Sequence, residues 1–353
     1  MSFEPAAPPK VAIVILNWNG IAFLRRFLPS VLASNYPNME VWVVDNASND
    51  ESVLWLQTHH ATRVKIVVNE CNGGFAEGYN KALKQIQADY YVLLNSDVEV
   101  PSNWICPIIA QMEADRSIAA CQPKLLAHEN RHLFEYAGAA GGYIDSWGYP
   151  FCRGRLFDYC ETDTGQYDET CEVFWASGAA LFIRANIFEQ LGGFDVRFFA
   201  HMEEIDLCWR IRRAGYRVFC CPKSVVYHVG GGTLQKANPF KTYLNFRNNL
   251  LMLCNHLPTQ QLIGTLVVRL FLDSIAALVF LIRGQISLAW AVCRAQVHFW
   301  FSFPANIRHR WQVQKRIESI NPSLCTTARE GIYKGSIVWA YQVQKKRVFR
   351  ELK

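Results

Sequence analysis

Four short, mainly apolar runs open the chain, at residues 11–16, 41–44, 64–68 and 90–94. Runs of four to six apolar residues without strict alternation belong to strands covered on both faces, as in a parallel sheet flanked by helices. Helical patterns separate them. Residues 21–33 form one; in residues 75–87 the side chains of Phe75, Tyr79, Ala82, Leu83 and Ile86 fall on a single stripe. Strand, helix, strand, helix, strand, helix, strand predicts one half of a doubly wound α/β fold.

Each run ends in polar residues: Asn17 and Asn19, then Asp45 and Asn46, then Asn69 and Asn72, then Asn95 and Asp97. Asn and Asp also start ordinary turns. Four such endings in succession favour a site, because the carboxyl ends of parallel strands line one crevice. The glycine spacing narrows the ligand. Residues 16–20 read LNWNG, so neither a GxGxxG dinucleotide fingerprint nor a P-loop follows the first strand. The glycines stand instead at Gly73 and Gly74, just before the striped helix, where free backbone N–H groups suit an anion or a nucleotide. Asp45 suits hydrogen bonding to a ribose hydroxyl or a base N–H.

Two later segments add chemistry. Residues 225–233 (VVYHVGGGT) place His228 at the end of a strand-like run before a glycine loop. Residues 192–210 gather Glu203, Glu204 and Asp206 at the start of a helix that stops near Gly215. Acids stabilise a helix N-terminus by themselves, and Asp206 stands four residues before Arg210, where an ion pair explains it. Glu203 and Glu204 are the better candidates for a base that takes a proton from a hydroxyl. Between residues 136 and 175 lie Tyr143, Trp147, Tyr149, Phe151, Phe157, Tyr159 and Tyr167. They read either as sugar-stacking faces beside Trp175, Ser177 and Gly178 on the acceptor side, or as an ordinary excursion packed on the sheet.

Composition enters through its uneven charge. Residues 256–353 hold 14 Lys and Arg against 4 Asp and Glu, a net of +10, while residues 1–255 carry −4. This divides the chain into an acidic body, 1–255, and a basic helical region, 256–353. Residues 262–282 are mostly apolar, but Thr265, Arg269, Asp273 and Arg283, with Ala276, fall on one side of a helix. That polar stripe suits a helix lying in the membrane interface, or packed on the body, better than one crossing a bilayer. Aromatic residues 290 and 299–301 and the basic residues after them predict attachment to an anionic membrane surface; no nucleic-acid motif is present. Residues 1–10 lack the apolar stretch of a secretory signal, so the expected location is cytoplasmic, on the inner face of the membrane. The 12 cysteines then read as reduced thiols rather than disulfides or a zinc site.

The segments 41–49 (VWVVDNASN), 72–80 (NGGFAEGYN), 93–97 (LLNSD), 177–183 (SGAALFI), 193–210 and 227–233 together resemble family 2 glycosyltransferases of the GT-A fold, closest to the bacterial rhamnosyltransferase-like branch. The resemblance implies a GT-A domain whose mostly parallel sheet has helices on both faces. It implies an inverting transfer from a nucleotide-diphospho-sugar to a glycan or lipid-linked acceptor in cell-surface polysaccharide synthesis. Asn17, Asp45, Asn46, Asn72, Gly73, Gly74, Asn80, Asn95 and Ser96 correspond to the donor side. Asp97 matches the last acid of the DxD motif and His228 the late metal-binding histidine, for Mg2+ or Mn2+. Glu204 stands at the base position, with Glu203 and Asp206 as substitutes. Two positions depart from the family pattern: Asn95 replaces the first DxD acid, and Glu204 replaces an Asp. They leave open an inactive, glycosyltransferase-like binding subunit of a polysaccharide assembly complex.

Overall fold

A computed structural model describes residues 7–230, 238–321 and 331–352. The four apolar runs are β1 (Val11–Asn17), β2 (Met39–Asp45), β3 (Val64–Val68) and β4 (Tyr90–Asn95), all parallel and side by side in the order β3-β2-β1-β4. The crossovers are α1 (Ile21–Leu32), α2 (Ser52–His59) and α3 (Gly74–Leu83). Register brings Asn17 opposite Asp45 and Leu16 opposite Asn95, so the polar strand ends meet at one edge as the pattern predicts. The stripe on α3 is inward: Tyr79, Ala82 and Leu83 are buried.

The sheet continues through β5 (Val98–Glu99), α4 (Ile105–Ala114) and β6 (Ile118–Ala127). An excursion follows, with β7 (Gly142–Asp145), β8 (Pro150–Cys152), β9 (Arg155–Leu156) and β10 (Tyr159–Cys160). The chain then adds β11 (Cys171–Glu172), β12 (Ala180–Arg184), α5 (Ala185–Gln190), α6 (Glu203–Arg213) and β13 (Arg217–His228). β12 lies antiparallel between β4 and β6, and β13 runs parallel to β6, so the nine-stranded sheet is mixed beyond β4. Strands β4 and β12 are almost wholly buried, which is why their sequences are continuous rather than alternating.

The C-terminal part consists of α7 (Pro239–His256), α8 (Thr259–Ile282), α9 (Ile286–Phe301), α10 (Phe303–Ile320), β14 (Ile332–Tyr333) and α11 (Ile337–Gln342). No break in packing marks the expected division near residue 256. Leu262, Leu266, Phe299 and Ile317 share one apolar core with Leu181, Ile205 and Leu253. β14 pairs with β7, completing a second, five-stranded sheet. The aromatic excursion therefore has its own core: Phe151 with Ile337, Tyr143 with Phe349, and Phe157 with Tyr341. These three face the C-terminal segment rather than an acceptor.

Candidate functional site

At the end of β1 and β2 the side chains hold one another. Asn17 is fully buried and Asp45 1% exposed; Asn17 Nδ2 donates to Asp45 Oδ2 (2.9 Å), and Ser48 N donates to Asp45 Oδ1 (2.8 Å). Asp45 thus shapes the 45–48 turn at the strand end where the sequence pattern placed it. Asn17 Oδ1 has no partner among the described residues and looks toward Gly20, where a Cβ would stand 2.4 Å away. Asn46 Nδ2 donates to Asn72 Oδ1 (2.8 Å) and Gly74 O (3.0 Å), and accepts from Asn69 through Oδ1. Trp18, 44% exposed directly after β1, is the large open face beside these strand ends.

The glycine loop is also spoken for. Gly73 N donates to Cys71 O, Gly74 N to Asn72 Oδ1, and both Phe75 N and Ala76 N to Phe199 O (2.6 and 3.2 Å). The first N–H groups of α3 are consumed by the protein itself, so Gly73 and Gly74 do not offer a free anion cradle; Gly74, at φ +77, gives Phe199 its close approach. Asn80 is likewise structural, with Nδ2 donating to Phe194 O and Oδ1 accepting from Phe194 N.

At the end of β4, Asn95 and Ser96 stay partly open, whereas Asp97 is 7% exposed. β5 pairs with β13, placing His228 opposite Val98. His228 Nε2 lies 3.1 Å from Asp97 Oδ1 and 3.5 Å from Asn95 Nδ2. On the other side of the ring, Nδ1 lies 3.2 Å from Glu135 Oε1. Burial opposes charge on both groups, yet the two carboxylates hold the His228 imidazolium well above its usual range, and His228 holds Asp97 below its own. In this structure Asp97 Oδ1 and His228 Nε2 meet each other; a carboxylate oxygen and an imidazole nitrogen are donor types that a divalent cation accepts. No cluster of three or more acidic, His or Cys ligands exists among the described residues. Gly231, Gly232 and Thr233 of the glycine loop lie outside the described residues.

The acids of α6 separate by environment. Asp206 is fully buried: its oxygens take Arg210 Nε (2.9 Å), His256 Nε2 (2.8 Å) and Asn255 Nδ2 (3.0 Å). Burial is outweighed by Arg210 and His256, and its carboxyl falls to about 2. It ties α6 to α7 and is no longer a substitute base. Glu203 is 4% exposed, and burial together with Glu204 pushes its carboxyl well up. Glu204 is partly exposed; burial raises its carboxyl to about 7, and its Oε2 has no hydrogen-bond partner among the described residues. A side chain on Gly178 would begin 3.2 Å from Phe75 and 3.7 Å from Glu204 Cβ. The next residue, Ala179, accepts from Asn95 N (3.0 Å), which joins the Glu204 side of the crevice to the Asp97 side.

Trp175 and Ser177 belong behind this surface. Trp175 is 3% exposed and donates to Tyr143 O (2.9 Å); Ser177 is 1% exposed and donates to Ala137 O (2.7 Å). With no open polar atom, they brace the site instead of meeting an acceptor. Sequence patterns missed the backbone that presents Glu204: Phe199, His201 and Met202 all have positive φ (63°, 69° and 74°). Asn248, fully buried on α7, donates to Phe198 O, Ala200 O and His201 O (2.9, 2.9 and 2.7 Å). The sequence signal for it is the polar run 247–249 (RNN) directly before the apolar residues 250–253 (LLML).

Residues 12–186 match the sequence model of glycosyl transferase family 2. Among curated proteins, the chain is 28% identical over 226 residues to the O-antigen biosynthesis protein RfbC of Myxococcus xanthus, covering 62% of this chain but only 17% of that one. It is 24% identical over 232 residues to the N-acetylglucosaminyl-diphospho-decaprenol L-rhamnosyltransferase of Mycobacterium tuberculosis, covering 61% of this chain and 75% of that protein. Among solved structures, GalNAc-T7 with UDP, GalNAc and Mn2+ superposes with a TM-score of 0.55 at 19% identity, over 70% of this chain and 48% of that one. That likeness is one of fold.

Proposed function

From the premise that residues 12–186 belong to glycosyl transferase family 2, we propose that the protein is an inverting glycosyltransferase of cell-surface polysaccharide synthesis. It moves a hexosyl or deoxyhexosyl group from a nucleotide-diphospho-sugar to a hydroxyl of a glycan or lipid-linked acceptor. The observation that carries this reading is the Glu204 carboxyl: half-buried, with one oxygen that has no partner among the described residues, raised to about 7, and one residue's span from the backbone that holds Asn95. A carboxyl near that value is partly ionised at neutral pH and basic enough to accept a proton.

In the reaction, the acceptor oxygen attacks C1 of the donor sugar while the bond from C1 to the diphosphate oxygen breaks on the opposite face. The Glu204 carboxylate takes the hydroxyl proton. Asp97 and His228 are the residues that would hold Mg2+ or Mn2+, which supplies charge neutralisation for the departing diphosphate. Asn95 and Ser96 border the donor, and Trp18 offers a stacking face to its base. Gly178 leaves room for the acceptor beside Glu204.

The test is transfer and hydrolysis measured across UDP-, GDP- and dTDP-sugars with and without Mn2+ or Mg2+. Glu204→Gln should lower transfer about 10²- to 10⁴-fold while donor binding stays within a few-fold. A variant as fast as the parent would remove Glu204 from the mechanism. Donor binding by the parent without turnover of any donor would replace this reading with the inactive binding subunit.

The partner of the C-terminal helices is, in this reading, an anionic membrane surface on the cytoplasmic side. The buried stripe of α8 is its polar one: Arg269 pairs with Asp273 (3.2 Å) and also donates to Trp147 O (3.1 Å) and to Asn249 Oδ1, while Gln296 and Tyr149 donate to Asp273. The exposed face carries Ile263, Val267, Phe271, Ile275, Leu278 and Ile282, at 44–77% exposure. Arg283, expected on the buried stripe, is exposed at the turn into α9. An apolar face turned outward, beside exposed Trp290 and basic side chains, suits a helix lying in the plane of the headgroups.

A further inference from the structure

We propose that Glu135 is a positioning residue for the cation site: its carboxylate lies against the Nδ1 side of His228 and holds the ring so that Nε2 is presented to the cation together with Asp97. The proposal rests on the reading of Asp97 and His228 as cation ligands.

Glu135 is 4% exposed and lies outside every segment that carried chemistry in the sequence. Its placement is built from several sides. Its backbone N donates to Leu125 O (3.0 Å), which seats it against β6, the strand that pairs with β13 and sets Ala127 opposite His228. Its Oε2 accepts from Ala137 N (2.5 Å), and Ala137 O in turn accepts from Ser177 Oγ (2.7 Å). With Oε2 tied down, Oε1 lies 3.2 Å from His228 Nδ1 as an ion-pair contact, and that buried Nδ1 has no hydrogen bond to any described residue. Gly230, at φ +71, leaves the space this needs, because a Cβ there would begin 2.8 Å from Oε1.

An imidazole that carries its proton on Nδ1 has its lone pair on Nε2, the nitrogen that faces Asp97 Oδ1 and Asn95. A carboxylate behind a ligating histidine keeps that tautomer, fixes the ring plane and raises the donor strength of the far nitrogen. Ser177 acquires a reason for its position, since it anchors the turn that holds Glu135. A simple counter-ion role for Glu135 would affect stability but not cation affinity, and that difference is measurable.

The experiment is a Mn2+ titration followed by electron paramagnetic resonance on the full chain, alone and with UDP, GDP or dTDP, for the parent, Glu135→Gln, Glu135→Asp and His228→Ala. Circular dichroism melts confirm folding. Glu135→Gln should bind Mn2+ about 10- to 100-fold more weakly, with Glu135→Asp in between and His228→Ala weakest. Parent-like Mn2+ affinity in both folded Glu135 variants, with His228→Ala impaired, overturns the role of Glu135 alone. If Glu135→Gln fails to fold, Glu135→Asp decides by the same measurement. Parent-like affinity in His228→Ala, or no Mn2+ uptake by the parent under any condition, overturns the cation reading and this proposal together.

Discussion

Glu203, Glu204 and Asp206 sit within one helical turn, and three environments give them three characters. Asp206 meets Arg210 and His256 and stays ionised; Glu203 is pushed well up by burial and by the neighbouring Glu204; Glu204 is left between, at about 7. A sequence shows which acids share a helix face, but not that α7 will deliver His256 and Asn255 to one of them. The raised carboxyl has a thermodynamic sign. An unfolded Glu titrates near 4.3 and the folded Glu204 at about 7, so folding of the parent loses stability as pH rises through that interval. Glu204→Gln removes the penalty. Its melting temperature should match the parent's near pH 4 and exceed it at pH 8, by roughly a few degrees, as read by calorimetry. Equal melting temperatures at both pH values would mean that the carboxyl is not desolvated.

Among elements, the strands and α3 were legible because continuous apolar runs and a 3.6-residue stripe report burial directly. What α3 does at its N-terminus was not legible. The glycines there read as an anion cradle, yet they make room for the Phe199 carbonyl, a contact from more than 120 residues away. α7 has a comparable hidden task. Asn248 gathers three carbonyls of the segment that leads into α6, where residues with positive φ store strain. Asn248→Ala leaves buried carbonyls without a donor and should cost about 2–4 kcal/mol in urea unfolding. A loss under about 0.5 kcal/mol, the scale of an ordinary surface change, would show that the segment holds its shape unaided.

For the whole molecule, the acidic body and basic tail suggested a division near residue 256, but charge and packing divide the chain differently. β14 completes the second sheet and α8–α10 share the central core, so the basic region is an integral wall of the fold. Its membrane role is therefore best probed by substitution rather than truncation. The full chain should co-sediment with vesicles containing anionic lipid and much less with neutral ones. Phe271→Glu with Ile282→Glu should lower the bound fraction several-fold while the protein melts as before. Binding that is unchanged by the substitutions would place the contact elsewhere.

The apolar periodicity and the polar strand ends were enough by themselves to determine the α/β architecture and the sheet edge where those ends meet, because burial and strand direction are written locally; the likeness to glycosyl transferase family 2 rested on the motifs themselves. Tertiary structure alone decided which polar residues remain available for chemistry. Asp45, Gly73, Gly74, Asn80, Trp175, Ser177 and Asp206 spend their hydrogen bonds inside the protein, while Glu204 keeps an unpartnered oxygen and Glu135 stands behind His228. Availability depends on partners brought from distant segments, and buried polar groups must find such partners in the folded chain.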